Sequence, residues 1–250
     1  MTPDAAPVEP PAPATEPDEP FWGYADLALL IGLALPSLIA AAAFVMIIAA
    51  SVGHPGRSAA TVLGVQFLAY GFWFVCLYAL LKLRYGRPFW QSLAWRRPSG
   101  RLTNFLAAGA ALALVVAALG AALRTPDIDM PIKELLREKA SVALVGLFAV
   151  TLGPLCEELI FRGFLQPLLV RSLGAAAAIP LTAAVFAIPH GPQYAWSWQH
   201  VVLITLAGSA FGWVRFRTGS TMAAAVMHAG YNFVFFVALV ARWEELSTAW

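Results

Sequence analysis

The amino-acid sequence predicts an all-α fold, a polytopic bundle of about seven transmembrane helices. The composition and the long apolar segments predict this class. Hydrophobic residues make up 60% of the 250-residue chain and charged residues 12%, about half the charged fraction of soluble domains. This composition excludes a soluble globular enzyme and a wholly disordered chain. The formal net charge of +2 is too small to indicate a nucleic-acid partner.

The N-terminal segment, residues 1–20, differs from the rest of the chain in composition. It contains seven prolines and five acidic residues, and it has no Lys or Arg. Such a stretch cannot bury a core, so a disordered tail is expected. A signal peptide begins with positive charge. We therefore expect the first apolar segment to be retained as a membrane helix.

Seven apolar segments have about the length that a helix needs to cross a bilayer, roughly 20 residues. They are residues 23–50, 60–82, 105–123, 141–170, 174–193, 200–216 and 220–242. The first three form one unit, 21–123, and the last four lie within 140–242. The connector between them, 124–139, mixes charged and apolar residues. An interfacial amphipathic helix and a solvated loop are equally consistent with it.

The distribution of basic residues predicts the orientation in the membrane. The loop after the second span contains Lys82, Arg84, Arg87, Arg96, Arg97 and Arg101. Because basic loops stay in the cytoplasm, the N-terminal tail is expected inside and the C-terminus outside. At the start of the first span, Trp22 is expected in the headgroup region, and Asp26 can extend to the same interface. In the sixth span, Gly208 and Gly212 have the GxxxG spacing that allows close helix packing.

A few strongly polar residues lie deep in the predicted spans, where a charge costs about 3 kcal/mol. They are Glu157, Glu158, Arg162, His190, His228 and Asn232. All of them fall within the last hundred residues. This clustering indicates a functional site in the second half of the chain.

The charged residues of the fourth span suggest two different roles. Glu158 and Arg162 are four residues apart, so they lie on one helix face and can neutralise each other. Glu157 points away from Arg162 and is free to act as a general base. The alternative is that all three form one charge network that holds helices together.

The fifth and seventh spans contribute the remaining polar residues. His228 and Asn232 lie one turn apart on one face, where they can bind a metal, polarise a carbonyl or donate to an oxyanion. They can equally form an interhelical hydrogen bond. In the fifth span, Phe186 precedes His190 by four residues, and Pro189 can kink the helix and direct His190 inward. His190 lies near the end of its span, shallower than Glu157 and His228.

The order of these motifs, EExxxR, FxxxH and HxxxN on three successive helices, resembles the CPBP family. This family contains CAAX proteases and bacteriocin-processing enzymes and is also called the Abi or type II CAAX prenyl endopeptidase family. The matching residues are Glu157, Glu158, Arg162, Phe186, His190, His228 and Asn232. The resemblance covers about residues 140–240.

The resemblance implies an intramembrane endopeptidase that acts on membrane-associated peptides or lipidated proteins. Glu157 would activate the attacking water with help from His190, while His228 and Asn232 would stabilise the tetrahedral oxyanion. The supporting residues would be Glu158, Arg162 and Phe186. The substrate would be of CAAX type or a bacteriocin-like peptide precursor. We expect the chain in the lipid bilayer of a bacterial plasma membrane.

The resemblance leaves the mechanism open between a metalloprotease and a metal-free enzyme. If a metal such as Zn²⁺ binds, its ligands would be Glu157, His190 and His228. The sequence has no HExxH helix, and a metal-free glutamate mechanism is equally compatible.

Two non-enzymatic functions compete with the protease. One is a membrane scaffold or bacteriocin-immunity protein that uses the motifs for packing. The other is a small transporter with Glu157 and the histidines as a proton relay. Spans one to three do not mirror spans five to seven as inverted repeats would. A scaffold would need only paired charges, so the complete Glu, His, His and Asn set favours the enzyme.

Overall fold

The computed structural model describes residues 20–51, 59–128 and 139–241. All regular elements within these ranges are helices, so the predicted all-α class is confirmed. The predicted tail up to residue 19 and most of the connector, 129–138, lie outside the described residues.

The first half of the chain contributes four helices to the described ranges. Helix α1 is Tyr24–Ser51, and α2 is Ala59–Tyr78, which continues as a π-helical turn, Ala79–Arg84. The short α3, Phe89–Ser92, precedes α4, Leu102–Ala122. Helix α1 packs on α2.

The second half begins with a long helix, α5, that is continuous over 139–173. Its successive segments are Lys139–Leu147, the π-helical Phe148–Leu152, Gly153–Glu158, the π-helical Leu159–Leu165, and Gln166–Leu173. Helix α6, Ala175–Ala187, continues as a 3₁₀ helix, Ile188–Tyr194. Helices α7, Trp198–Thr218, and α8, Thr221–Ala241, follow. Helix α5 contacts α2, α6, α7 and α8, which places it at the centre of this half.

Each of the seven predicted spans is a helix in the structure. One of them, α7, does not meet the combined length and hydropathy expected of a membrane-crossing helix. Within the described residues, six helical stretches are long and apolar enough to cross a membrane, and α7 is not among them. Its 21 residues extend about 30 Å, enough for a bilayer core. However, Arg215 and Arg217 lie in its last turn. The structure therefore supports six spans by length and composition, and a C-terminus outside the cell requires that α7 also crosses.

The outer face of α1 has the surface expected of a helix in lipid. Ile31, Leu35, Ile39 and Ile47 are each 60–67% exposed. Water would penalise this apolar surface, whereas the hydrocarbon interior of a bilayer does not. The exposed face thus agrees with the membrane class predicted from composition.

Trp22 and Asp26, at the start of α1, are buried inside the protein. Trp22 is 1% exposed, stacks on Phe164 at 5.1 Å and donates its indole N–H to the Phe164 carbonyl. Asp26 is 2% exposed and accepts a 2.6 Å hydrogen bond from Tyr85. It also pairs with Arg84 at 3.1 Å. Phe164 of α5 covers Trp22, and Arg84 and Tyr85 at the end of α2 cover Asp26. Contacts between helices of this kind cannot be predicted from the sequence of one helix.

Helices α4 and α8 approach each other backbone to backbone. A Cβ atom added at Gly109 would lie 1.9 Å from the Met227 carbonyl oxygen, and one at Gly230 would lie 2.2 Å from the Leu106 carbonyl oxygen. Real Cβ atoms do not tolerate such distances, so this contact requires glycine on both helices. The contact positions α8, which carries His228 and Asn232.

Candidate active site

Helix α5 changes geometry on both sides of its two glutamates. The π-helical segments Phe148–Leu152 and Leu159–Leu165 flank the α-helical turns that contain Glu157 and Glu158. A π-helical turn alters the i to i−4 hydrogen-bond ladder and is common at functional sites. Here it changes which side chains and carbonyl groups α5 presents to its neighbours.

Glu158 and Arg162 form the ion pair expected from their spacing. Arg162 Nη1 lies 2.9 Å from Glu158 Oε1, and both side chains are fully buried. Arg162 also donates through Nη2 to the Gly208 carbonyl of α7 at 2.8 Å. The pair prediction is confirmed, and the guanidinium additionally ties α5 to α7.

His228 on α8 is held by the same carboxylate. Its Nδ1 lies 2.9 Å from Glu158 Oε1. An ionised carboxylate only accepts hydrogen bonds, so we assign the proton to Nδ1. The imidazole ring stacks on Phe211 at 4.6 Å and meets the edge of Phe186 at 5.8 Å. These contacts direct Nε2 towards Glu157.

Glu157 has a different environment from Glu158. Its side chain is 16% exposed, its Oε2 lies 3.8 Å from His228 Nε2, and its Oε1 accepts a 2.8 Å hydrogen bond from Tyr70. A separation of 3.8 Å is too long for a direct hydrogen bond. The adjacent carboxylates therefore differ in burial and partners. The Glu158 carboxylate is fully buried and binds Arg162 and His228 through Oε1, whereas the Glu157 carboxylate is partly exposed and, among the described residues, makes no hydrogen bond through Oε2.

Asn232 faces α5 from the same side of α8 as His228. Its amide Nδ2 donates to the Ala149 carbonyl at 2.7 Å, and Ala149 belongs to the π-helical Phe148–Leu152. A primary amide has two N–H donors. One is used on this carbonyl, and within the described residues the other has no acceptor.

His190 lies beside Phe186. The α-helix gives way to 3₁₀ helix directly before Pro189, and His190 Nδ1 lies 2.9 Å from the Phe186 carbonyl oxygen. Since a carbonyl only accepts, Nδ1 carries a proton. In the part of the chain that the structure describes, His190 makes no hydrogen bond or ion pair with Glu157 or His228.

Phe186 links the two histidines. Its ring centroid lies 4.7 Å from that of His190 and 5.8 Å from that of His228. Arg162 also stacks on it, with Cζ 4.6 Å from the ring centroid. The FxxxH motif therefore contributes an aromatic side chain, Phe186, that packs on Arg162 of the EExxxR motif and on His228 of the HxxxN motif.

The three residues expected to bind a metal, if one is present, do not come together in this structure. They are Glu157, His190 and His228. In both His190 and His228, Nδ1 is hydrogen-bonded to an oxygen and Nε2 is the other ring nitrogen. Metal-binding histidines commonly have this arrangement. However, among the described residues no group of three His, Cys, Asp or Glu side chains is close enough to hold a metal ion. Glu157 and His228 come together, whereas His190 does not join them.

Sequence reasoning missed two polar residues of this region. Tyr70 contacts Glu157 from α2, and Gln166 donates to the Gly212 carbonyl of α7 at 2.9 Å. A signal was present for both. Gln66 and Tyr70 are four residues apart in an apolar span, and Gln166 lies one turn after Arg162. The GxxxG glycines of α7 supply the carbonyls that Arg162 and Gln166 bind.

Together, the fold and the site define a polytopic helical membrane protein with a buried carboxylate–histidine centre. Residues 139–234 match the family model described as "Type II CAAX prenyl endopeptidase Rce1-like", and this range contains all seven motif residues. The match confirms the resemblance seen in the motifs and supports a CAAX-type intramembrane protease. Neither a curated protein nor a solved structure matches the chain significantly.

Proposed function

We propose that the chain is an intramembrane endopeptidase in which Glu157 activates water to hydrolyse peptide bonds of membrane-associated substrates. The observation that carries the proposal is the 3.8 Å separation between Glu157 Oε2 and His228 Nε2. A water about 2.8 Å from each atom fits this separation. The family match supports the same class of reaction.

In the proposed reaction, Glu157 takes a proton from this water while the oxygen attacks the carbonyl carbon of the scissile bond. The carbonyl oxygen becomes an oxyanion, which accepts hydrogen bonds from His228 Nε2, in the imidazolium form, and from the second N–H of Asn232. Glu157 then returns the proton to the amide nitrogen, and the C–N bond breaks. The products are a carboxylic acid and an amine, and the acid then loses its proton to the amine or to water.

The other motif residues are proposed to hold this geometry. Glu158 fixes the His228 ring through Nδ1, and Arg162 balances the Glu158 charge. Phe186 packs against both histidines. His190 is proposed to bind water or substrate through Nε2 at the edge of the site, because its Nδ1 is occupied by the Phe186 carbonyl.

The proposal is tested with the purified full chain in proteoliposomes. The substrates are an internally quenched peptide ending in a farnesylated CAAX sequence and the same peptide without the lipid. Glu157→Gln is expected to lower kcat at least about 100-fold, as loss of a general base does. The control Cys156→Ala changes the preceding residue of α5 and should keep wild-type activity.

Several outcomes discriminate between functions. Wild-type activity in Glu157→Gln would refute the proposed mechanism and favour a non-catalytic scaffold. Loss of activity in Cys156→Ala would indicate a thiol nucleophile. Cleavage of both peptides at similar rates would exclude a requirement for prenylation. Activity measured before and after treatment with a chelator distinguishes a metal-free mechanism from a metal-dependent one.

A further inference from the structure

Tyr70 brings a side chain of the first half of the chain into the site. It lies on α2, outside the matched residues 139–234, and its hydroxyl donates to Glu157 Oε1 at 2.8 Å. The ring stacks on Phe148 at a centroid distance of 5.8 Å and an interplanar angle of 11°. Phe148 begins the π-helical segment before Glu157, so ring and hydroxyl both contact α5.

Gln66 orients the Tyr70 hydroxyl. Its Nε2 lies 3.4 Å from the phenolic oxygen, one helical turn earlier on α2. An amide N–H only donates, so it uses a lone pair of the phenol and leaves the phenolic hydrogen for the carboxylate. The hydrogen bonds therefore run in one direction, from Gln66 through Tyr70 to Glu157.

This contact makes the two oxygens of Glu157 inequivalent. The terminal torsion of a glutamate is broad and roughly two-fold, so a carboxylate without a fixed partner samples many orientations. With Oε1 bound to Tyr70, Oε2 is the oxygen that lies 3.8 Å from His228 Nε2.

We infer that Tyr70 is a positioning residue: it holds Glu157 through Oε1 and presents Oε2 as the oxygen that takes the proton from water. The inference rests on the proposed function of Glu157 as general base. It assigns to the N-terminal helices a direct part in the site, beyond the three motifs.

Tyr70→Phe tests this role because it removes the hydroxyl and keeps the ring on Phe148. A misplaced general base costs up to about 100-fold in rate. We expect kcat to fall about 10- to 100-fold on the farnesylated peptide, with KM unchanged within about twofold. Gln66→Leu should have a smaller effect in the same direction. The matched control is Tyr78→Phe on the same helix, where the side chain is 43% exposed, and it should behave as wild type.

The kinetic outcomes separate this inference from the proposed function. Wild-type kcat in Tyr70→Phe, or a rise in KM alone, overturns the positioning role if Glu157→Gln is inactive. If Glu157→Gln cleaves like wild type, the proposed function fails and the inference fails with it.

An infrared measurement tests the contact without turnover. The carboxylate stretching band that disappears in Glu157→Gln should shift in Tyr70→Phe and stay in place in Tyr78→Phe. An unshifted band in Tyr70→Phe would show that the hydroxyl does not bind Glu157, and the inference would be wrong.

Discussion

The buried pair Glu158–Arg162 permits a prediction that separates stability from activity. Three variants are compared: Glu158→Leu, Arg162→Met and the double variant. Both side chains are fully buried. Each single change therefore leaves one charge without its partner, which costs about 3 kcal/mol at the lower end of the range for buried pairs. If the effects were additive, the double variant would lose about 6 kcal/mol.

The double variant is expected to lose much less than that sum. It removes both charges, and what it loses are the hydrogen bonds to the Gly208 carbonyl and to His228 Nδ1. At about 1.5 kcal/mol each, the lower end of the range for hydrogen bonds to charged groups, these come to about 3 kcal/mol, half of the additive value. The double variant should nevertheless remain inactive, because Glu158 no longer orients His228.

The assay is equilibrium unfolding in mixed micelles with an increasing fraction of sodium dodecyl sulfate, followed by tryptophan fluorescence. Glu157→Gln is the control on the adjacent residue, and it should lose activity with a stability change below about 1 kcal/mol. The reasoning is refuted if the double variant loses as much as both single variants combined. Single variants that each lose less than about 1 kcal/mol would refute it as well.

Two further predictions concern packing and the start of α1. Gly109→Ala and Gly230→Ala should each lower stability by about 2 kcal/mol, because the added Cβ meets a carbonyl oxygen of the facing helix. Gly32→Ala on the outer face of α1 has no neighbour within 4 Å and should be neutral or slightly stabilising in the same unfolding assay. The hydrogen bond to Asp26 raises the pKa of Tyr85 above its ordinary value of 10. In Asp26→Asn this pKa should fall towards 10, measured by absorbance at 295 nm against a Tyr85→Phe reference.

The sign of the Tyr85 effect on stability follows from the raised pKa. A group with a higher pKa in the folded state stabilises the fold below its unfolded pKa, and it loses that contribution as the pH rises through the folded value. The stabilisation is therefore complete at neutral pH and is lost above about pH 10. Equal unfolding free energies for wild type and Asp26→Asn at pH 7 would contradict this account.

Local spacing was sufficient to predict part of the site. Glu158 and Arg162 meet because residues four apart lie on one face of any regular helix, whatever surrounds it. The same rule places His228 and Asn232 on one side of α8, and both do contact α5. The change of helix at Pro189 follows from the missing backbone donor of proline.

Contacts between distant helices could not be predicted in this way. Tyr70 and Glu157 are 87 residues apart, and Glu158 and His228 are 70 apart. Their meeting depends on how each helix is rotated about its axis and on the π-helical segments of α5. The spacing of residues in the sequence specifies neither the rotation of a helix nor the position of a π-helical segment. The hydrogen bond of His190 to the Phe186 carbonyl, and not to Glu157, is a packing result of the same kind.

The sequence alone therefore determined the membrane surroundings, the helical class and the polar residues of the candidate site. The reason is that charge is costly in hydrocarbon, so the few polar groups inside the spans mark a site. Only the tertiary structure decided how these groups are arranged. Packing between helices buried Trp22 and Asp26, brought Tyr70 to Glu157 and placed Phe186 between the two histidines, because side-chain orientation follows from interhelical contact and not from local spacing.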